Sequence, residues 1–190
     1  MSAEQADRAR RFLECHRDHD RGPLLLPNPW DVGSAKLLAS LGFEALATTS
    51  SGFAATLGRL DGSVTRDEAL GHAAAIVAAT DLPVSADLEH GFADDPEAVA
   101  ETVRRAIQIG LAGCSIEDST GDEDGPPIYD PGLAVARIEA AAEVAHAGPV
   151  HLVLTARAEN YLHGRPDLRD TIRRLQAYQE AGADVLFAPG

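Results

Sequence analysis

Cysteine is scarce in this 190-residue chain, which holds only Cys15 and Cys114. The two are far apart and form no CxxC pattern, so no disulfide framework is indicated and a reducing cytoplasm fits. The segment ECHRDHD gathers Cys15, His16 and His19, but no second ligand pair follows at finger spacing. A solvated first helix is the better reading of it. Bases are also few. Sixteen Lys and Arg face thirty Asp and Glu, for a formal charge of -14. That balance argues against nucleic acid as a partner, because phosphate binding needs a basic face. No apolar run is long enough to cross a bilayer, so no membrane role is expected. The opening MSAEQADRARRFLECHRDHD lacks the apolar core of a signal peptide, which argues against export and for a cytoplasmic protein.

What is present is an alternation. Hydrophobic residues make up 45% of the chain, ordinary for a globular domain. Short apolar runs at 24–28, 45–50, 84–89, 113–118, 151–157 and 185–190 read as six parallel strands buried on both faces. Helical segments lie between them, with start signals: a capping box at Thr65 and Glu68, Asp-Pro pairs at Asp95-Pro96 and Asp130-Pro131, and Asp167 before another apolar stripe. Gly42, Gly110 and Gly182 mark helix ends shortly before a strand. No linker interrupts the series, so residues 1–190 read as one α/β domain.

Polar residues cluster where nearly every predicted strand ends: Asn28, Thr49 to Ser51, Asp87 and Glu89, Glu117 and Asp118, Arg157 and Glu159. A barrel gathers all its strand ends around one mouth, whereas a doubly wound sheet concentrates function at a single switch point. No G-x-G-x-x-G follows the first run, which weakens a dinucleotide reading. The expected fold is therefore a (β/α)8 TIM-type barrel. Six strands fall short of eight, so the chain reads as a barrel truncated after the sixth strand and lacking its last two βα units.

Side chains alternate along a strand, so Asp87 and Glu89 point the same way. Glu117, on the next predicted strand, stands at a similar height. Like charges so close raise one another's pKa, and a hard divalent cation relieves the repulsion; all-oxygen ligation suits Mg²⁺. The competing reading is that these acids pair with Arg157 or ring the surface. Arg157 can hold a carboxylate or phosphonate through two parallel bonds, or form a salt bridge to Glu159 or Glu117. Gly52, after Ser51, allows close backbone approach by an anionic ligand, or makes an ordinary turn. His90 is an acid/base candidate or a loop histidine. Asp61 lies in a long loop that could cover a site, or caps the turn at Gly62.

Six stretches occurring in order resemble the isocitrate lyase / phosphoenolpyruvate mutase superfamily: LPNPWDVGSAKLL, ATTSSGFAATLGRLDG, VSADLEHGFADDPEAVAETVRRAI, SIEDSTGD, LTARAENYL and GADVLFAPG. The resemblance runs the whole length of the chain. It implies a (β/α)8 barrel, usually longer than this chain, in a homo-oligomer (dimer or tetramer) that exchanges its eighth helix. It implies Asp87 as the direct Mg²⁺ ligand, with Asp61, Glu89 and Glu117 holding the metal's waters. Ser51, Gly52 and Phe53 would contact the carboxylate end of a small carboxylate or phosphonate substrate, and Arg157 would bind an anionic group. Catalytic roles fall to Arg157, Asp61 and His90, with Tyr129 and water also open as acid/base. The implied chemistry is Mg²⁺-dependent cleavage of a C–C bond in a 2-substituted dicarboxylate or α-keto acid through a pyruvate-type enolate. The alternatives are a P–C bond enzyme of the phosphoenolpyruvate mutase or phosphonopyruvate hydrolase kind, and a non-catalytic truncated remnant. Where isocitrate and methylisocitrate lyases carry a lysine–arginine–cysteine–glycine–histidine loop, this chain reads STGDEDGPPIYD, and Cys114 lies inside a strand instead.

Overall fold

The computed structural model describes residues 3–18, 20, 22–122 and 124–190; His19, and Glu123 of the acidic loop, lie outside them. The order of elements is α1 (Ala3–Arg17), α2 (Val32–Ser40), β1 (Leu46–Ala47), α3 (Ser50–Thr56), α4 (Arg66–Ala79), β2 (Val84–Asp87), α5 (Pro96–Gln108), β3 (Gly113–Glu117), α6 (Pro131–His146), β4 (Val153–Arg157), α7 (Leu168–Glu180) and β5 (Val185–Phe187). The strands form one parallel sheet in sequential order, β1 to β5. Order never reverses, so among the described residues there is no switch point of the doubly wound kind. The sheet curls as a half-barrel of five strands. Among the described residues, no helix is long and apolar enough to cross a membrane.

The helix starts follow local chemistry. Thr65 and Glu68 close a reciprocal capping box on α4. Asp95 caps α5 by accepting from the Ala98 amide, with Pro96 in the first turn, where its missing N–H costs nothing. Asp130 and Asp167 cap α6 and α7 in the same manner. Gly42, Gly110 and Gly182 all take positive φ at helix ends, a conformation that penalises any Cβ.

The expected first strand is a correction. Residues 24–28 are not a strand, so the count among the described residues is five and the truncation point after a sixth strand does not hold. The segment touches β1 through two bonds: the Ala47 amide donates to the Pro27 carbonyl (3.2 Å), and Asn28 Nδ2 donates to the Ala47 carbonyl (2.9 Å). Pro23, Pro27 and Pro29 carry no N–H, so a ladder cannot propagate there. The second run is also shorter than expected, because Thr49 leaves the sheet at once to cap α3.

The two faces of the sheet differ in chemistry. Ala86, Cys114, Ile116, Leu154 and Ala156 point to the helices and form the main core with Val99, Val103, Ile138 and Ala141. The alternate positions, Ser85, Asp87, Ser115, Glu117, Thr155 and Arg157, line the other face. At the amino-terminal end of that second face, α1 closes the floor. Phe12 packs there with Ala112, Val150 and Val153. A Cβ at Gly113 would stand 2.7 Å from Phe12 Cε1 and 2.9 Å from the Val153 carbonyl oxygen, so only glycine admits the ring. With the floor filled by apolar side chains, the polar residues remain at the strand ends.

Candidate active site at the strand ends

Register sets the site. Glu117 pairs with Arg157 across β3 and β4, and Asp87 pairs with Ser115, one pleat below Glu117. The Glu117 amide donates to the Glu89 carbonyl (3.0 Å), which brings Glu89 to the height of Glu117. Asp87, Glu89, Glu117 and Arg157 therefore meet at the carboxyl ends of three adjacent strands.

Asp87 is anchored from several sides. Ser50 N–H donates to its Oδ2 (3.0 Å) and Glu89 N–H to its Oδ1 (3.2 Å). Its own amide donates to Thr48 Oγ1 (3.0 Å). Glu89 is buried and takes a left-handed backbone, φ 49°, which ends the strand and turns its side chain inward. Behind this turn lies Arg137, 1% exposed, whose guanidinium donates to the carbonyls of Glu117, His90 and Ala93 and stacks on the Tyr129 ring at 3.9 Å.

One cation serves several acids here. Arg157 donates from Nε to Glu159 Oε1 (2.8 Å) and from Nη1 to Asp87 Oδ1 (3.3 Å), and its Nη2 lies 3.5 Å from Glu117 Oε2. Both salt-bridge partners weighed from the sequence, Glu159 and Glu117, are thus engaged, with Asp87 added. Burial works against the Arg157 charge, but Asp87, Glu117 and Glu159 together hold it more firmly protonated than usual. Even so, negative charge remains in surplus. Burial, then the charges of Asp87, Asp61 and Glu117, pushes Glu89 up to about 8. Burial also pushes Glu117 up to about 7, although Arg157 and the Ser119 hydroxyl (2.6 Å from Glu117 Oε1) pull it down. A donor set made only of carboxylates, short of positive charge, fits a hard divalent cation.

The other expected residues fall into two groups. Asp61 is exposed on its loop and accepts from the Gly62 amide (3.1 Å), yet its charge reaches Glu89. Phe53 stacks on His72 at 4.0 Å and borders the same crevice as Ser50, Asp87 and Glu89. Ser51 is exposed, with its hydroxyl 3.2 Å from that of Thr49. Gly52 is buried, its amide donating to Thr49 Oγ1 (3.4 Å), and a Cβ there would stand 2.6 Å from Trp30 Nε1. Packing against Trp30 therefore accounts for that glycine. His90 is not brought to the carboxylates: its ring lies against Gly121, and burial and Arg137 lower its pKa while Asp94 opposes them. The Tyr129 hydroxyl donates to Asp94 Oδ1 (2.5 Å) and is likewise engaged elsewhere. Cys114 is fully buried, its thiol pushed up to about 12 by burial and the Asp184 charge. The acidic loop folds back on itself through a Ser119–Ile128 bridge and a Tyr129 N–H to Asp118 carbonyl bond (2.8 Å).

Asp118 carries a role the sequence reading did not assign. It is buried and accepts from Tyr178 Oη (2.6 Å), Arg174 Nη1 (3.1 Å) and the Glu159 amide (2.8 Å), so it props the segment that carries Arg157. Arg137 and Arg174 were missed too. For Arg137 a signal was available, since it interrupts the apolar face of α6 between Ala134 and Ala141. For Arg174 there was none, because the expected apolar stripe of α7 does not face the core: Leu168 and Ile172 are exposed, and Thr171, Arg174 and Tyr178 are buried instead. A buried guanidinium needs several acceptors, which here are backbone and acid groups supporting the site.

The family model for phosphoenolpyruvate phosphomutase matches residues 12–190. An uncharacterized protein of Mycobacterium tuberculosis is 38% identical over 180 residues, covering 93% of this chain and 65% of that protein. A crystal structure from Burkholderia cenocepacia J2315, with a provisional lyase/mutase label, has a TM-score of 0.95 at 56% identity, covering 100% of this chain and 66% of that one. The structure of 2,3-dimethylmalate lyase, a PEP mutase/isocitrate lyase superfamily member, has a TM-score of 0.88 at 28% identity, covering 100% of this chain and 64% of that one. The chain thus spans about two thirds of the length of these relatives.

Proposed function

This chain belongs to the phosphoenolpyruvate phosphomutase family, within the PEP mutase/isocitrate lyase superfamily, and on that premise we propose that it is a Mg²⁺-dependent lyase. It would cleave a C–C bond of a 2-substituted dicarboxylate or α-keto acid through a pyruvate-type enolate. The observation that carries the reading is the surplus of negative charge at the strand ends, where Asp87, Glu117 and Glu159 share Arg157, Glu89 has no cation of its own, and burial pushes Glu89, Glu117 and Glu159 up.

In this reading Asp87 is the direct ligand of the ion, and Asp61, Glu89 and Glu117 hold its waters. Bound Mg²⁺ supplies positive charge to the substrate oxygen on which enolate charge collects. The Ser50 and Glu89 amides, donating to its two carboxylate oxygens, keep the Asp87 side chain from swinging away. Arg157 turns part of its fork from Glu117 and Asp87 to the substrate's anionic group, while Glu159 keeps it oriented through Nε. Ser51 and Phe53 border the carboxylate end. Neither His90 nor Tyr129 faces this space, so the proton is handled by water or by a strand-end carboxyl. Oligomerisation of the full-length form as a dimer or tetramer, and a cytoplasmic location, belong to the same reading.

The relative that acts as 2,3-dimethylmalate lyase favours C–C cleavage of a substituted malate. A P–C bond reaction on a phosphonopyruvate is the second reading, favoured by the description of the matching family model. The test is titration with Mg²⁺ and oxalate, an enolate mimic, followed by turnover assays. Oxalate binding only in the presence of Mg²⁺, with pyruvate or glyoxylate released from a 2-substituted malate or succinate, supports the lyase. Turnover of phosphonopyruvate alone moves the assignment to the second reading. Oxalate binding indifferent to Mg²⁺, with no turnover of either class, overturns both and leaves a non-catalytic chain.

A further inference from the structure

At the opposite end of the sheet, two histidines and an aspartate converge on one point. His146 is the last residue of α6, His151 lies two residues before β4, and Asp184 directly precedes β5. His146 Nε2 stands 3.0 Å from Asp184 Oδ2, and His151 Nε2 stands 2.9 Å from Oδ1. The two rings stack at 4.1 Å with 11° between their planes, so both nitrogens face the same carboxylate. One ligand atom from each of the three residues lies within 4.8 Å of the other two. We propose that His146, His151 and Asp184 bind one zinc-class divalent ion, which ties the starts of β4 and β5 to the end of α6.

The donor set decides the class of ion. Two imidazole nitrogens and one carboxylate suit zinc and its transition-metal neighbours, and suit Mg²⁺ poorly. Zinc–ligand bonds of about 2.0–2.1 Å in tetrahedral geometry put neighbouring ligand atoms about 3.3 Å apart. The nitrogen–oxygen pairs need to open by only tenths of an ångström to reach that spacing. The carboxylate is already oriented, because the Leu154 amide donates to Asp184 Oδ2 (2.9 Å) and the Asp184 side chain is only 8% exposed. A third imidazole is close by. His16, at the end of α1, feels the charge of Asp184, and its Nε2 is buried with no hydrogen-bond partner among the described residues. The ECHR segment, which offered no finger spacing in sequence, therefore ends beside this cluster in space. The consequence is structural: β5 pairs only with β4 among the described residues, and an ion here would fasten that edge strand at its base.

The probe is ZnCl₂, titrated calorimetrically into chelator-washed protein with MgCl₂ in excess. Asp87→Ala separates this site from the strand-end carboxylates, and that variant should still take up one zinc per chain. The double variant His146→Gln/His151→Gln should bind zinc more than about 100-fold more weakly. The single variant His151→Gln changes a ring that is 41% exposed, spares the core, and should weaken binding in the same direction. Zinc should also raise the thermal midpoint of the native chain by several degrees and leave that of the double variant unmoved. Equal zinc affinity in the histidine variants, or zinc uptake lost with Asp87→Ala, overturns the proposal and leaves a hydrogen-bonded cluster only. The Mg²⁺–oxalate experiment stands or falls separately.

Discussion

Glu89→Gln should stabilise the metal-free chain at alkaline pH, because it removes a carboxylate that the fold holds in an unfavourable place. Folding raises the Glu89 pKa from the ordinary 4.5 to about 8, through burial first and then the negative charges of Asp87, Asp61 and Glu117. A raised value means that the folded state binds the proton more tightly than the unfolded state. The stabilising contribution is therefore complete below pH 4.5 and is lost as pH rises to about 8. At about 1.4 kcal/mol for each tenfold change in proton affinity, the loss at pH 8 would be roughly 4 kcal/mol without screening. Solvent reaches part of this site, so about 2 kcal/mol is the figure to test. Glutamine keeps the shape and cannot ionise. Urea unfolding between pH 5 and pH 8.5, without divalent metal, should show the native chain losing about 2 kcal/mol more than the variant. Glu117, pushed up to about 7, leaves a shallower decline of the same sign in both proteins. Adding MgCl₂ at pH 8 should recover more stability in the native chain than in the variant. Parallel pH curves for the two proteins would refute the reasoning, because Glu89 would then carry no excess charge for an ion to relieve.

Other outcomes follow from the same geometry. Asp87→Ala should abolish Mg²⁺-dependent oxalate binding while the circular dichroism spectrum stays native; retained binding would remove Asp87 from the metal. Arg157→Lys replaces a fork that serves Glu159, Asp87 and Glu117 with a point charge, and calorimetry should show oxalate binding weakened by about 1.5–3 kcal/mol. Gly113→Ala should destabilise the chain by about 1–3 kcal/mol in urea melts, because its Cβ would meet the Phe12 ring at 2.7 Å.

Much of this architecture is local information, and local information is legible in a sequence. The caps at Thr65, Asp95, Asp130 and Asp167 appear where their side chains predict them, because each satisfies amides only two or three residues away. The alternation along β2 to β4 likewise puts Asp87, Glu117 and Arg157 on one face, since side-chain direction along a strand has a period of two. The segment 24–28 misled because apolar content resembles a strand while its prolines deny it the donors a ladder needs.

What the sequence by itself determined was a parallel α/β chain whose acids and Arg157 sit at strand ends. Only the tertiary structure decided how charge is shared there: one guanidinium among Asp87, Glu117 and Glu159, with Glu89 left short of a cation. The same holds for Arg137, whose acceptors come from other elements, for the reach of Arg174 to Asp118 and the Tyr129 carbonyl, and for His146, His151 and Asp184, which are adjacent only because β4 and β5 pair. Hydrogen bonds and Coulomb forces act across a few ångströms of space whatever the separation along the chain. Spacing in sequence can reveal a helix cap or a strand face, but it carries no information about which distant residues folding will place at bonding distance.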